Sequence, residues 1–124
     1  MKGIEGPALL VRIYIGDADR TDGRPLYQAI VTLLRERGIA GATVFRGIEG
    51  FGANAQLHTS RLLRLSEDLP ILIEVVDRED RIREILPELE AMVADGLVTL
   101  ERIEVVAYRG NPGAVPETSE TPPA

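Results

Sequence analysis

GIAGATVFRGIEGFG, residues 38–52, carries five of the chain's twelve glycines and stands between two stretches of regular apolar spacing. Glycine weakens a strand interior, so it is kept where a backbone turns tightly or approaches another group closely. No acidic residue follows Glu49 until Glu67. A glycine cluster of this kind between two regular elements points to a backbone-lined site, and the local lack of acid suits an anion. Gly38 is a helix stop, and residues 42–48 read as a strand.

Working outward, residues 8–15 alternate. Leu9, Val11, Ile13 and Ile15 face one way, while Leu10, Arg12 and Tyr14 face the other. Residues 16–24 read as a polar loop with an Asp22-Gly23 turn. Pro25 opens a helix whose apolar stripe is Leu26, Ala29, Ile30, Leu33 and Leu34. Residues 50–68 lack clear periodicity and read as a long loop. Residues 71–76 are nearly continuous in apolar side chains, as in a central strand. Asp77 is placed to cap a second helix with the stripe Ile82, Ile85, Leu86, Leu89, Met92 and Val93. Pro87, inside that stripe, is expected to kink or divide the helix. Asp95-Gly96 ends it, and residues 98–108 form a last strand.

The order β-α-β-β-α-β predicts an α+β, ferredoxin-like fold: a four-stranded antiparallel sheet with both helices on one face. The other face then shows Leu10, Arg12, Tyr14, Leu72, Glu74 and Val76. That mixture is too apolar to be left wet and too polar for an ordinary core, which implies a homo-oligomer that buries it. Residues 1–109 form one domain. Residues 110–124, with four of the eight prolines and no aromatic side chain, read as a disordered tail.

The formal net charge of −6 argues against nucleic acid as a partner, since that binding depends on cationic contacts to phosphate. The absence of cysteine excludes disulfides, thiol catalysis and a cysteine zinc site. Asp17, Asp19 and Asp22 lack the spacing of a calcium loop, so no metal site is expected. No signal pattern or apolar run of membrane-spanning length is present, which makes the cytoplasm the expected location. The glycines match neither a P-loop, for want of GxxxxGK[ST], nor a dinucleotide fingerprint, since GIEGFG runs G-x-x-G-x-G with no βαβ unit after it.

Gly38, then Gly41-Ala42-Thr43-Val44, then Gly50-Phe51-Gly52 before a long loop, is an order that resembles the PII signalling proteins. These are trimeric ferredoxin-like sensors that bind adenine nucleotides in clefts between subunits. The phrases GATVFRGIEGFG, HTSRLLRLSEDLP and IEVVD are similar to the PII-like branch catalogued as domain of unknown function 190, and the resemblance runs from about Leu9 to Tyr108. It implies a PII-like homotrimer in which Gly41 and Thr43 lie near an adenine, and Gly50, Phe51 and Gly52 form a loop base open to phosphate. Arg109 corresponds loosely to an arginine that meets phosphate from a neighbouring subunit. No cofactor is required by this reading; AMP, ADP or ATP is the ligand class.

The chain departs from the PII pattern at two places. Ala94-Asp95-Gly96-Leu97 stands where those proteins have Gly-Asp-Gly-Lys, and Ala53-Asn54 replaces a glutamine after Gly-Phe-Gly. Asn54 is a candidate ligand contact. His58 and Arg61, with Arg64 and Arg46, present either a positive face to a small anion or a solvated basic loop on an acidic body.

The functional expectation is a non-enzymatic regulator with no catalytic residue, signalling through the 53–64 loop. A membrane transporter or channel is a candidate client, because some members of this branch resemble partners of fluoride channels. Two other functions remain open. One is a small phosphate-handling hydrolase of acylphosphatase-like topology using Arg20, Arg24 and Asn54. The other is a structural trimer without a ligand.

Overall fold

The structure, a computed structural model, describes residues 3–52 and 68–110. Strand β1 is Gly6–Gly16. It is followed by a two-residue ladder, β2 (Arg20–Thr21) and β3 (Arg24–Pro25), and by helix α1 (Leu26–Glu36). Strands β4 (Gly41–Arg46) and β5 (Pro70–Asp77) precede helix α2 (Glu79–Met92) and strand β6 (Leu97–Val105). The four long strands form one antiparallel sheet in the order β4-β5-β1-β6. Neither helical crossover joins neighbouring strands, so this is the split βαβ topology expected from the sequence.

Period-two alternation sorts the side chains as the strands require. Leu9, Val11, Ile13 and Ile15 of β1 and Ile71, Ile73 and Val75 of β5 are buried. They pack with Leu26, Ile30 and Leu34 of α1 and Ile82, Ile85 and Leu89 of α2. Helix α1 closes on a Schellman motif: Gly38 N–H donates to the Arg35 carbonyl and Ile39 N–H to the Leu34 carbonyl, at 3.0 and 3.1 Å. Gly38 adopts φ +69°, which a glycine does without strain.

Several expectations are corrected. The polar loop at 16–24 contains the β2–β3 hairpin, whose central residues Asp22 (φ 49°) and Gly23 (φ 80°) both lie left-handed, as a primed turn needs. Pro87 does not divide α2, which runs unbroken to Met92. Pro87 and Arg83 are both exposed, so water can satisfy the carbonyl the proline leaves unpaired. Asp77 is not the helix cap; Arg78 holds that position, and Asp77 serves a different role described below. β4 ends at Arg46 rather than at 48, where Gly47 N–H turns to the Pro70 carbonyl at 2.7 Å. β6 ends at Val105 rather than at 108. The expectations for residues 53–67, and for the tail beyond Gly110, lie outside the described residues.

Candidate functional site

The candidate residues divide between the two ends of β4 and between its two faces. Gly41 pairs with Val76, Thr43 with Glu74 and Phe45 with Leu72, so all three belong to the face that neither α1 nor α2 covers. Arg46 pairs with Ile71 and therefore shares the helix side. Its guanidinium donates to Asp17 Oδ1 at 3.1 Å. That bond, and the charge of Asp17, raise the arginine above its already high ordinary pKa. Thr43 and Arg46 accordingly do not act on the same side of the strand.

The open face is built in rows across the sheet. Phe45, Leu72, Tyr14 and Leu97 form an apolar row; Phe45 is 47% exposed and Leu97 55%. Thr43, Glu74, Arg12 and Thr99 form the next row, and it is polar. There Arg12 Nε donates to Glu74 Oε2 at 3.2 Å and its Nη1 to Glu101 Oε1 at 2.8 Å. One cation thus serves two carboxylates on this face.

The end of β4 that carries Gly41 is held by Asp77, which is fully buried. Its carboxylate accepts the Arg78 N–H at 2.7 Å, the Ala40 N–H at 2.9 Å and Arg81 Nε at 3.0 Å. Arg81 also donates to the carbonyls of Arg37 and Gly38. An acid at the start of a helix is the only trace of this junction in the sequence. It joins the end of α1, the start of β4 and the start of α2 through one buried side chain. Beside it lies a cleft of about 250 Å³ lined by Arg37, Ile39, Arg81, Glu84 and Ile85. Arg109, exposed and without a hydrogen bond or ion pair among the described residues, follows Tyr108, whose hydroxyl donates to the Ala40 carbonyl at 2.7 Å.

The other end of β4 carries the remaining glycines. A Cβ on Gly47 would stand 2.8 Å from Pro70 Cγ, and one on Gly50 would stand 3.1 Å from the same atom. Packing against Pro70 therefore accounts for both. Gly41 and Gly52 differ: a Cβ on either meets no described atom within 4 Å, and neither adopts a positive φ. The fold of the described chain gives no reason for glycine at these two positions. Phe51, 86% exposed, lies between Gly50 and Gly52, and Ile48 is 91% exposed. Gly96 sits at this same end, against the Tyr14 carbonyl. Asn54, His58 and Arg61 lie outside the described residues. Arg20 and Arg24 lie on the β2–β3 ladder, on alternate sides of it, since Arg20 pairs with Pro25 and Arg24 with Thr21.

Comparison with known proteins agrees with this architecture. The family described as Uncharacterized ACR, COG1993 (DUF190) matches residues 8–105. A UPF0166 protein of Aquifex aeolicus is 36% identical over 97 residues, covering 78% of this chain and 91% of that one. Among solved structures, CPII of Thiomonas intermedia bound to ADP, AMP and acetate aligns with a TM-score of 0.59 at 18% identity, over 86% of this chain and 94% of that one. A putative PII-like signaling protein of Thermus thermophilus aligns with a TM-score of 0.55 at 17% identity, again over 86% and 94%. These two likenesses establish a PII-like fold. Among the described residues no helix is long and apolar enough to cross a membrane.

Proposed function

The chain belongs to the DUF190 family, and from that premise we propose that it is a non-enzymatic PII-like regulatory protein. In this reading it is a cytoplasmic homotrimer that binds an adenine nucleotide in the clefts between its subunits. Ligand binding biases the segment that follows Gly52, and that segment signals to a partner, for which a membrane transporter or channel is the candidate class.

The observation that carries the proposal is the split of the candidate residues between the ends of one strand. Gly41, Thr43 and Arg109 stand at or near the start of β4, while Gly50, Phe51 and Gly52 lie beyond its end. At about 3.3 Å per residue, the strand alone separates Gly41 from Arg46 by about 17 Å. A ligand touching both groups in one chain has to lie along the whole strand. A ligand touching the Gly41 end of one chain and the Gly52 end of the next has only to bridge the junction. The two glycines without a packing duty fall one at each end, where close approach of a ligand or a second chain supplies the missing reason. The open face supports assembly as well: its apolar row needs cover, and its polar row fixes how a second copy must align.

A switch of this kind operates only through different affinities for two conformations of the signalling segment. The test is a thermal-shift and calorimetric screen with AMP, cyclic AMP, ADP and ATP, with native mass measured alongside. A ligand at 100 times its dissociation constant adds about 2.7 kcal/mol to the native state. A trimer that is stabilised by an adenine nucleotide, and loses that response in Thr43→Ala, supports the reading. An intact trimer with no response to any of the four contradicts it.

A further inference from the structure

Three residues beyond β6 the chain carries an anchored tyrosine. Besides the bond from its hydroxyl to the Ala40 carbonyl, Tyr108 donates its backbone N–H to Glu5 Oε2 at 3.1 Å. Ala40 is thus held twice: its N–H by the buried carboxylate of Asp77, its carbonyl by the Tyr108 hydroxyl. Both partners come from distant parts of the chain, and the peptide they hold leads directly into Gly41. A residue at the start of an edge strand can satisfy its backbone groups with water. Two long-range side-chain partners on one such residue fix its geometry beyond what the strand needs. The neighbours of Tyr108 contribute little packing, since Val106 is 88% exposed and Arg109 is exposed. Arg109 also makes no ion pair among the described residues, a property it shares with Arg20, Arg24 and Arg35, whereas Arg12, Arg37, Arg46, Arg78, Arg81, Arg83 and Arg102 are paired.

We propose that Tyr108 is a positioning residue of the nucleotide site: by anchoring on Ala40 it holds Arg109 at the Gly41 end of its own chain, ready for a ligand phosphate. The inference rests on the proposed nucleotide reading and adds to it. Arg109 serves the cleft to which its own chain contributes Gly41 and Thr43, and the opposite wall comes from the Gly50–Gly52 end of the neighbour. An arginine whose backbone is held in this way loses less freedom on meeting a phosphate than one on a loose segment, although its guanidinium is itself unpaired.

The test is a double-mutant cycle read by calorimetry with ADP, using Tyr108→Phe, Arg109→Ala and the double variant, with adenosine as a second probe. Tyr108→Phe keeps the ring and removes only the hydroxyl. ADP affinity is expected to fall about 10-fold or more in Arg109→Ala, and by a smaller factor in Tyr108→Phe. The double variant is expected to match Arg109→Ala alone, because Tyr108 acts through Arg109. Adenosine affinity is expected to stay unchanged in Tyr108→Phe. In the ligand-free protein, amide exchange at Tyr108 is expected to quicken in Tyr108→Phe while that of β1 and β5 is retained. Wild-type ADP affinity in Tyr108→Phe overturns the proposal. So do losses that multiply in the double variant, or an equal loss for ADP and adenosine, since each gives the tyrosine a structural role only. If the wild type binds none of AMP, ADP or ATP, the nucleotide reading itself fails and the role of Arg109 falls with it. The exchange measurement then still reports whether the anchor exists.

Discussion

The two faces of the sheet are made from the same strands and solve opposite problems. On the helix side, β1 and β5 present only Leu, Ile and Val along their central residues, and α1 and α2 bury them completely. On the open side, the same strands present Arg12, Tyr14, Leu72, Glu74 and Val76 beside a buried Leu10, and a largely exposed apolar row lies next to a polar one. The first face is finished within the chain. The second has a surface that a single copy leaves incomplete, and the two glycines unexplained by packing lie at or beyond the ends of the strand that edges it. Stability is therefore concentrated on one side, and the proposed assembly and binding on the other.

The difference can be broken most sharply at Ile73, which is fully buried against the helices. Ile73→Ala is expected to lower the unfolding free energy by about 2–5 kcal/mol in urea denaturation. Phe45→Asp, on the open face of the neighbouring strand, is expected to leave the far-UV circular dichroism intact and to reduce the native mass from trimer to monomer. A Phe45→Asp trimer, or an Ile73→Ala chain of wild-type stability, would dissolve the distinction.

The next effect is at Asp77. Removing this buried acid in Asp77→Ala takes the acceptor from the Ala40 and Arg78 N–H groups and from Arg81 Nε and is expected to cost about 3 kcal/mol. Asp77→Asn, which retains an acceptor oxygen, is expected to lose less. Equal losses in the two variants would show that the hydrogen bonds contribute little. A smaller effect separates the glycines. Gly47→Ala, driven against Pro70, is expected to cost about 1–2 kcal/mol, whereas Gly52→Ala stays within about 0.5 kcal/mol. Thermal melts of the two variants check this directly.

The smallest effect is in acid. Glu79 is held below its ordinary pKa, chiefly by the hydrogen bond from Arg102 and then by that from Arg83. A carboxylate whose pKa is lowered on folding stabilises the native state above its unfolded pKa, and that contribution is lost as the pH falls through the folded value. The group is exposed, so the loss is slight. Glu79→Gln is expected to flatten the acid limb of the stability profile below about pH 5 and to leave the neutral region little changed. An unchanged acid limb would show that the α2–β6 ion pair has no weight.

The fold is legible in the sequence because alternation fixes a face residue by residue. Residues 11–15 and 71–76 separate the buried from the more open side chains, while Ala8 and Leu10 are buried although they alternate onto the open face, and the stripes of both helices follow. Features that depend on distant partners are hidden. Asp77 reads as a helix cap in the sequence, yet its bond to Ala40 arises only when the start of β4 meets the end of β5. Tyr108 reads as the last residue of a strand, and its bond to Ala40 spans the fold. Pro87 departs from the local rule because its cost depends on whether the lost bond faces water. In the glycine run, no local rule distinguishes Gly47 and Gly50, which make room for Pro70, from Gly41 and Gly52, which do not.

The most direct test of a site shared between chains is complementation. Gly41→Val and Gly52→Val each fill open space at one end of β4, so each is expected to fold, assemble and lose ADP binding. When the two variants are unfolded together in equal amounts and refolded, a shared site predicts that about one quarter of all clefts, one in each mixed trimer, regain both intact ends. ADP titration should then show binding at about that stoichiometry. A mixture that binds no more ADP than either variant alone would place the site within a single chain and contradict the account.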